Sequence, residues 1–534
     1  MFIGVDFGTS FSQVAAFHNH AIADLNERGE YGIPSVFYYD VERGELVGKE
    51  ALVEGAFNAQ NLVRDIKMKL GSQVTLDTKE FSANEIVGKI YGEITKFAQQ
   101  KGPEKIINFN LEGIVITHPA KFSMAEVNAL CEAAKNCQGI DNPIEVVGAL
   151  KEPVAAAIAY FNDATDQFEN GDGILVFDLG GGTCDIALVE VNKEDGADYI
   201  VVDSDMVRVG GRDWDEALYE YAKEKIGALT NGQIDVEGNP DYKNDLYESV
   251  VAAKHTLSTL AQTNIRPRKI YHEALRRGIP ITRASFMELT QNLLDKAIQK
   301  LVDVYQKHKD TKNIKTIICV GGSSNMPQVK DAIETAIPNC EVKRYNPESA
   351  VVNGAAIFAT KIMENIVKKQ YGLDFEEVVN LEDAIQNVKP GEITLNVKEE
   401  PSPVLDFLSH SYGVRCRKSP TSNEFVVKNL LFKGTNFPAT NNYGGFSVTT
   451  SATSVLIEIY ESDSMEEVYP CDGTQNEHVV GTLTLYTPNG ITVDDNIVCE
   501  LTANDLTNIH VKAQDAKGEN KPAEIIFSCQ PKNN

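Results

Sequence analysis

The chain has 534 residues, more than one hydrophobic core serves, so two or more domains are expected. Its composition, 42% hydrophobic and 24% charged, is that of a folded protein and excludes extended disorder. A formal net charge of −27 repels phosphate backbones, so nucleic acid is not an expected partner, and the acidity reads as solubility.

Met1 leads at once into Phe2-Ile3-Gly4-Val5-Asp6, an apolar strand closed by an acid, with no basic leader. No apolar run is long enough to cross a bilayer, so no membrane is expected. The nine cysteines are scattered from Cys131 to Cys529 without a C-x-x-C pair, which reads as reduced thiols. Cytoplasm is the expected compartment.

As far as about Gln370, apolar strands such as Gly113–Thr117, Ile174–Phe177 and Lys315–Val320 alternate with amphipathic helices such as Ala125–Lys135, Leu294–Tyr305 and Val329–Ile337. That alternation predicts an α/β architecture. Tyr371–Pro403 is acidic and bounded by proline; it reads equally as a connector or a small insert. From about Phe425 short runs rich in Val, Ile, Thr and Phe recur between Gly, Asn and Pro, which predicts an antiparallel sandwich. Its expected strands are Phe425–Lys433, Phe446–Thr450, Ser454–Tyr460, Val479–Tyr486, Asn508–Gln514 and Glu524–Ser528.

An internal echo carries the chemistry. Ile3-Gly4-Val5-Asp6-Phe7-Gly8-Thr9-Ser10 before Gln13–Phe17 reads as strand, acid, tight turn, strand. Leu175-Val176-Phe177-Asp178-Leu179-Gly180-Gly181-Gly182-Thr183 before Asp185–Val189 reads the same way. Each glycine turn lets backbone N–H groups approach an anion, and each first strand ends in an aspartate. Two such units predict a duplicated fold closing on a polyphosphate, with Asp6 and Asp178 supporting a hydrated Mg²⁺. A third element, Thr316–Val320 followed by Gly321-Gly322-Ser323-Ser324 and a helix entered through Pro327, is a further anion or nucleoside site. The chain has no G-x-x-x-x-G-K-[ST] loop, which argues against a Walker-type NTPase.

These motifs resemble the heat-shock protein 70 chaperone family, within the actin-like ATPase superfamily. Gly4–Ser10 resembles its first phosphate loop and Phe177–Thr183 with Asp185 its second. Glu152–Tyr160 is similar to its connecting helix, Gly321–Ser324 to its adenosine motif, and Asn346-Pro347-Glu348 through Gly354-Ala355-Ala356 to its closing helix. The resemblance implies an actin-like (ribonuclease-H-like, duplicated) ATPase domain at 1–370, a connector and interdomain linker at 371–408, and an all-β sandwich at 409–534. It implies Lys67, Glu152, Asp178, Thr183 and Asp185 as catalytic residues. Nucleotide would meet Asp6, Gly8, Thr9, Ser10, Gly180, Gly181, Gly182, Thr183, Lys254, Ser258, Gly321, Gly322, Ser323, Asn325 and Glu348. ATP and ADP with Mg²⁺ are the implied cofactors, with K⁺ as a further candidate ion.

The chain departs from the family in four places. Val251 stands where an acid is usual, His255 where an arginine is, and Asn325 replaces the arginine that stacks on adenine, which removes a cation–π partner. Pro119 matches the switch proline, but its arginine partner is replaced near Val127. Gly148 and Lys151 stand where the family presents an arginine and an asparagine to J-domain partners. Ile265–Ile281 is basic (Arg266, Arg268, Lys269, Arg276, Arg277) where the family has an acidic hairpin facing exchange factors.

In the C-terminal part, Val404–Leu408 resembles the apolar interdomain linker, and Phe446 and Val455 are the expected lining of a peptide groove. The sequence ends at Asn534 soon after its last expected strand, so the family's helical lid is expected to be absent and bound peptide to exchange quickly. The implied function is an ATP-hydrolysing chaperone or holdase that binds unfolded or extended polypeptide, with a co-chaperone or exchange factor as further partner. The alternatives are a nucleotide-sensing binding module with little or no hydrolysis and a small-molecule kinase of the same superfamily.

Overall fold

The computed structural model describes residues 1–26, 32–107, 109–137, 144–194, 197–371, 403–419, 421–503 and 508–527. They divide into two compact units: Met1–Ala120 with Glu132–Val404, and Lys121–Cys131 with the chain from Leu405 onward. The expected connector at 371–403 falls almost wholly outside the described residues.

Two sheets of one design build the first unit. In the first, β1 (Phe2–Phe7), β2 (Phe11–His18) and β3 (Ala21–Asp24) form an antiparallel meander. β4 (Gly113–His118) lies parallel to β1, and β5 (Glu145–Lys151) parallel to β4, giving the order β5-β4-β1-β2-β3. The second sheet repeats the plan. β6 (Asp172–Leu179), β7 (Cys184–Val191) and β8 (Tyr199–Val207) form the meander, with β9 (Asn313–Val320) and β10 (Glu341–Arg344) parallel beyond β6, in the order β10-β9-β6-β7-β8. At the edge beyond β8, Tyr199 N donates to Pro403 O at 3.2 Å. The central strands β4, β6 and β7 are buried along nearly their whole length. Burial on both faces is why they read as continuous apolar runs rather than as alternating ones.

Eight helices among the described residues are ten residues long or more. α1 (Ala83–Lys105) is capped by Ser82, whose hydroxyl accepts from Glu85 N at 3.1 Å. α2 spans Met124–Lys135, and α3 (Glu152–Asp163) starts where β5 ends. α4 (Gly211–Leu229), α5 (Pro240–Thr259), α6 (Arg283–His308), α7 (Pro327–Ala336) and α8 (Ala350–Tyr371) follow. α3 is buried from Pro153 to Phe161, as its alanine-rich, unpatterned sequence requires. It crosses α8 so closely that a Cβ on Gly354 would stand 1.7 Å from Ala155 O. A Cβ on Gly4 would stand 2.3 Å from Ala356 N, so α8 presses equally on β1.

The second unit is a sandwich. One sheet runs β15-β12-β11-β14-β16 through β11 (Ser411–Arg417), β12 (Phe425–Leu431), β14 (Ala452–Ser462), β15 (Val468–Pro470) and β16 (His478–Ile491). The other runs β13-β17-β18-β19 through β13 (Ala439–Ser447), β17 (Asn496–Ala503), β18 (Ile509–Asp515) and β19 (Ala523–Phe527). Tyr412, Val414, Ile457, Ile459, Leu485, Leu501 and Val511 fill the space between them. Each expected strand overlaps an observed one, though Ser528 lies outside the described residues. β13 begins seven residues before the Phe446 at which it was expected, because Asn441-Asn442-Tyr443-Gly444-Gly445 has no β-forming signature. β11, β15 and β17 were not foreseen.

Replacing Gly354 by valine should push α3 from α8 and cost on the order of 3 kcal/mol in chemical denaturation. Gly227→Ala on α4, where a Cβ meets nothing within 4 Å, should instead gain about 0.5 kcal/mol. Equal effects at the two positions would show that the helix crossing does not depend on Gly354.

Candidate functional site

The duplicated topology brings equivalent positions together. In the first sheet Asp6 on β1 pairs with Gln13 on β2; in the second, Asp178 on β6 pairs with Asp185 on β7 and Val320 on β9. Beyond each aspartate the chain turns through a glycine loop, Gly8-Thr9-Ser10 in one half and Gly180–Thr183 in the other. These loops face each other: a Cβ on Gly181 would lie 2.8 Å from Ser10 Oγ, and one on Gly182 would lie 3.2 Å from Thr9 Oγ1.

Lys67 reaches the junction from a short 3-10 turn, Ile66–Lys69, entered through Asp65 at φ 61°. A non-glycine residue held in that left-handed region costs on the order of 1 kcal/mol, so the neighbouring contacts must hold it there. The Lys67 ammonium is buried, donates to Phe7 O at 2.5 Å and pairs with the Glu152 carboxylate, which stands at the start of α3.

Four carboxyls, those of Asp6, Asp178, Asp185 and Glu152, crowd around this one cation. Burial first, then the Glu152 charge, raises Asp6 to about 6 and Asp185 to about 7. The same two causes, with Asp185 and Asp6 added, push Asp178 well above the ordinary carboxylate range. Opposing this, Thr117 Oγ1 donates to Asp6 at 2.7 Å, and Ala120 N donates to Asp185 at 2.6 Å. Excess buried negative charge of this kind fits a cation site. Among the described residues no three His, Cys, Asp or Glu side chains converge to chelate an ion directly. The donors therefore fit Mg²⁺, which binds through one or two carboxylates and keeps several waters.

The residues expected to form a nucleoside side are tied to the same loop through one carbonyl. Gly180 O accepts from Gly211 N and from Ser323 Oγ, each at 2.9 Å. Gly321 has φ +80°, and a Cβ there would lie 2.5 Å from Asp178 Oδ1, so only glycine fits. Lys254 on α5 donates to Gly211 O and Asp215 Oδ2, both at 2.8 Å. Ser258 lies one turn further along that helix, and Asn325 Nδ2 reaches Glu348 Oε1 at 3.3 Å. Of the expected nucleotide residues, Lys254, Gly321 and Ser323 are thus tied to the second loop, whereas Ser258 stands a turn away and Asn325 and Glu348 are joined to each other. Phe446 and Val455 are half-buried on different sheets of the sandwich and pack against its core, Phe446 edge-on to Tyr443 at 5.0 Å.

Sequence reasoning missed Thr117, Gln13 and the glycines opening α4. Gly210 N donates to Asp213 Oδ2 at 2.8 Å, and Gly-Gly followed by an acid at the third helical position before an amphipathic run is a legible helix start. It also missed a clasp. Arg64 pairs with Glu248 at 2.5 Å and its neighbour Asp65 with Arg212 at 3.0 Å, beside a cavity of about 750 Å³ that Gly182 and Met68 help to line. Both pairs are partly exposed, so each contributes no more than about 1 kcal/mol.

A model of the family described as Hsp70 protein matches residues 2–78 and 72–388. The chain belongs to the Hsp70 family. An Hsp70 chain carries an actin-like ATPase domain, and the duplicated sheets are that fold, followed here by a β-rich C-terminal region. The family consists of ATP-dependent chaperones that bind ATP and ADP with Mg²⁺ and act on unfolded polypeptide with co-chaperones. Among the described residues no helix is long and apolar enough to cross a membrane.

Raised carboxyls mean that the metal-free folded chain keeps protons that the unfolded chain has released. The cluster's contribution to stability therefore falls as pH rises from the ordinary value of 3.8 to about 7. Asp178→Asn should raise the metal-free unfolding midpoint by a few degrees at pH 8 and less at pH 5, while abolishing stabilisation by Mg²⁺ with ADP. Thermal scans showing no gain at pH 8 would contradict the crowding.

Proposed function

We propose that this chain binds ATP with Mg²⁺ at the paired hairpin loops, hydrolyses it slowly, and uses that cycle to govern binding of extended polypeptide by the sandwich. The observation that carries the reading is the crowding of Asp6, Asp178, Asp185 and Glu152 around Lys67 at the junction of two equivalent glycine loops. Phosphoryl transfer asks a protein for positioning and charge neutralisation, and these groups supply both.

The contacts support a role for each residue. Thr9, Ser10 and the Gly180–Gly182 turn bind the phosphates through N–H and hydroxyl groups, as the approach of the two loops allows. Asp6 and Asp178 hold the Mg²⁺, which would supply charge neutralisation at the phosphates. Lys67, fixed by Phe7 O and Glu152, would neutralise charge on the terminal phosphate. Asp185, held by Ala120 N, and Thr183, which bonds to its carboxylate, orient the attacking water. Lys254, Ser258, Gly321, Gly322, Ser323, Asn325 and Glu348 form the nucleoside side. Phe446 and Val455 line the polypeptide groove, and K⁺ is a candidate second ion at the same acids.

One observation favours the sensor alternative. Asn325 offers no planar cation to stack on a base and is paired instead with Glu348.

Steady-state and single-turnover ATP hydrolysis with Mg²⁺ tests the choice. Slow turnover in the parent that drops about 100-fold or more in Lys67→Ala and Asp178→Asn supports the ATPase. Nucleotide binding without turnover in any form transfers the chain to the sensor reading, and absence of binding overturns both.

A further inference from the structure

The two halves of the duplicated site are not equivalent around their strand-end aspartates. β1 and β4 run parallel in a register that pairs Val5 with Ile116, so the next residues, Asp6 and Thr117, stand side by side. Thr117 is fully buried, and its hydroxyl donates to Asp6 Oδ1 at 2.7 Å. In the second half the neighbour of Asp178 on the parallel strand is Val320, which has no hydroxyl to give. The antiparallel neighbours differ too: Gln13 beside Asp6, Asp185 beside Asp178. One aspartate is thus turned by a neutral donor on an adjacent strand, while the other stands beside an acid and a hydrocarbon.

We propose that Thr117 is a positioning residue for the nucleotide-bound Mg²⁺, its hydroxyl fixing the Asp6 carboxylate in the orientation that receives the hydrated cation. A carboxylate on a strand end has free rotation about its last bond. A buried hydroxyl that occupies Oδ1 leaves Oδ2 as the oxygen presented to an incoming ion. The segment that follows Thr117 reinforces the arrangement, because Ala120 N fixes Asp185 of the other half at 2.6 Å. Four consecutive residues, Thr117-His118-Pro119-Ala120, therefore touch one acid from each sheet. Partners that orient a metal's carboxylates are commonly worth 10- to 100-fold in metal affinity when removed.

This inference rests on the nucleotide and Mg²⁺ reading above, so the test separates the two. Binding of a fluorescent ADP to the full chain is titrated against Mg²⁺ for the parent, Thr117→Val and Thr117→Ser, with thermal unfolding of each without ligand. Valine keeps the shape and removes the donor; serine keeps the donor. Thr117→Val is expected to raise the half-saturating Mg²⁺ by about 10-fold or more, to leave metal-free ADP binding and the ligand-free unfolding midpoint close to the parent's, and to be rescued by Thr117→Ser. A valine variant with the parent's Mg²⁺ dependence, or one weakened equally with and without Mg²⁺, overturns the positioning role while the nucleotide reading stands. A parent whose ADP binding does not respond to Mg²⁺ overturns the metal assignment and this inference with it. If valine lowers the unfolding midpoint by many degrees, the Thr117→Ser titration decides alone: a shift in Mg²⁺ half-saturation despite the retained hydroxyl overturns the role, and the parent's value supports it.

Discussion

Negative charge buried without enough positive charge is the constraint on which the rest of the first unit depends. Left to themselves, Asp6, Asp178 and Asp185 would pick up protons, or these three and Glu152 would drive their elements apart. They stay together because they sit on the central strands of two sheets and at the first turn of a buried helix. The surrounding apolar packing, from Val5 and Ile116 to Phe177 and Ile186, holds the geometry against the repulsion. The site is in effect strained electrostatically, and a bound cation would relieve what the fold alone only tolerates.

The same economy appears in the backbone. A single carbonyl, Gly180 O, receives both the first amide of α4 and the hydroxyl of Ser323. Gly321 lies against Asp178 with no room for a side chain. The parts that would read the nucleoside and the parts that would hold the phosphates are thus one hydrogen-bonded body. α8 ties this body to the first sheet, lying on β1 at Gly4 and on α3 at Gly354. Close approach, more than any single polar contact, makes the two halves of the unit act together.

Much of this was legible in the sequence because the decisive signals are local. An apolar run, an acid and a glycine turn written twice announced the duplicated hairpins, the strand and paired glycines at Gly321 announced a third element, and Lys67 and Glu152 followed from the family resemblance. Thr117 was not legible: a threonine at the end of a buried strand looks like any other β-branched residue until the register places it beside Asp6. Gln13 was hidden for the same reason, since its meaning comes from standing opposite Asp6 just as Asp185 stands opposite Asp178. In the sandwich, the first seven residues of β13 escaped because Asn and Gly dominate an exposed edge strand that bulges between Tyr443 and Phe446.

Arg64 and Asp65 carry opposite signs on adjacent residues, and each meets its complement, Glu248 and Arg212. Either bridge alone is weak. Together they form a two-letter code that admits one alignment. A slip of the Lys67 segment by one residue would set Arg64 against Arg212 or Asp65 against Glu248, turning attraction into repulsion. Either slip turns one bridge into repulsion and loses the other, so the strained turn bearing Lys67 meets the acids with both bridges made only in its working register.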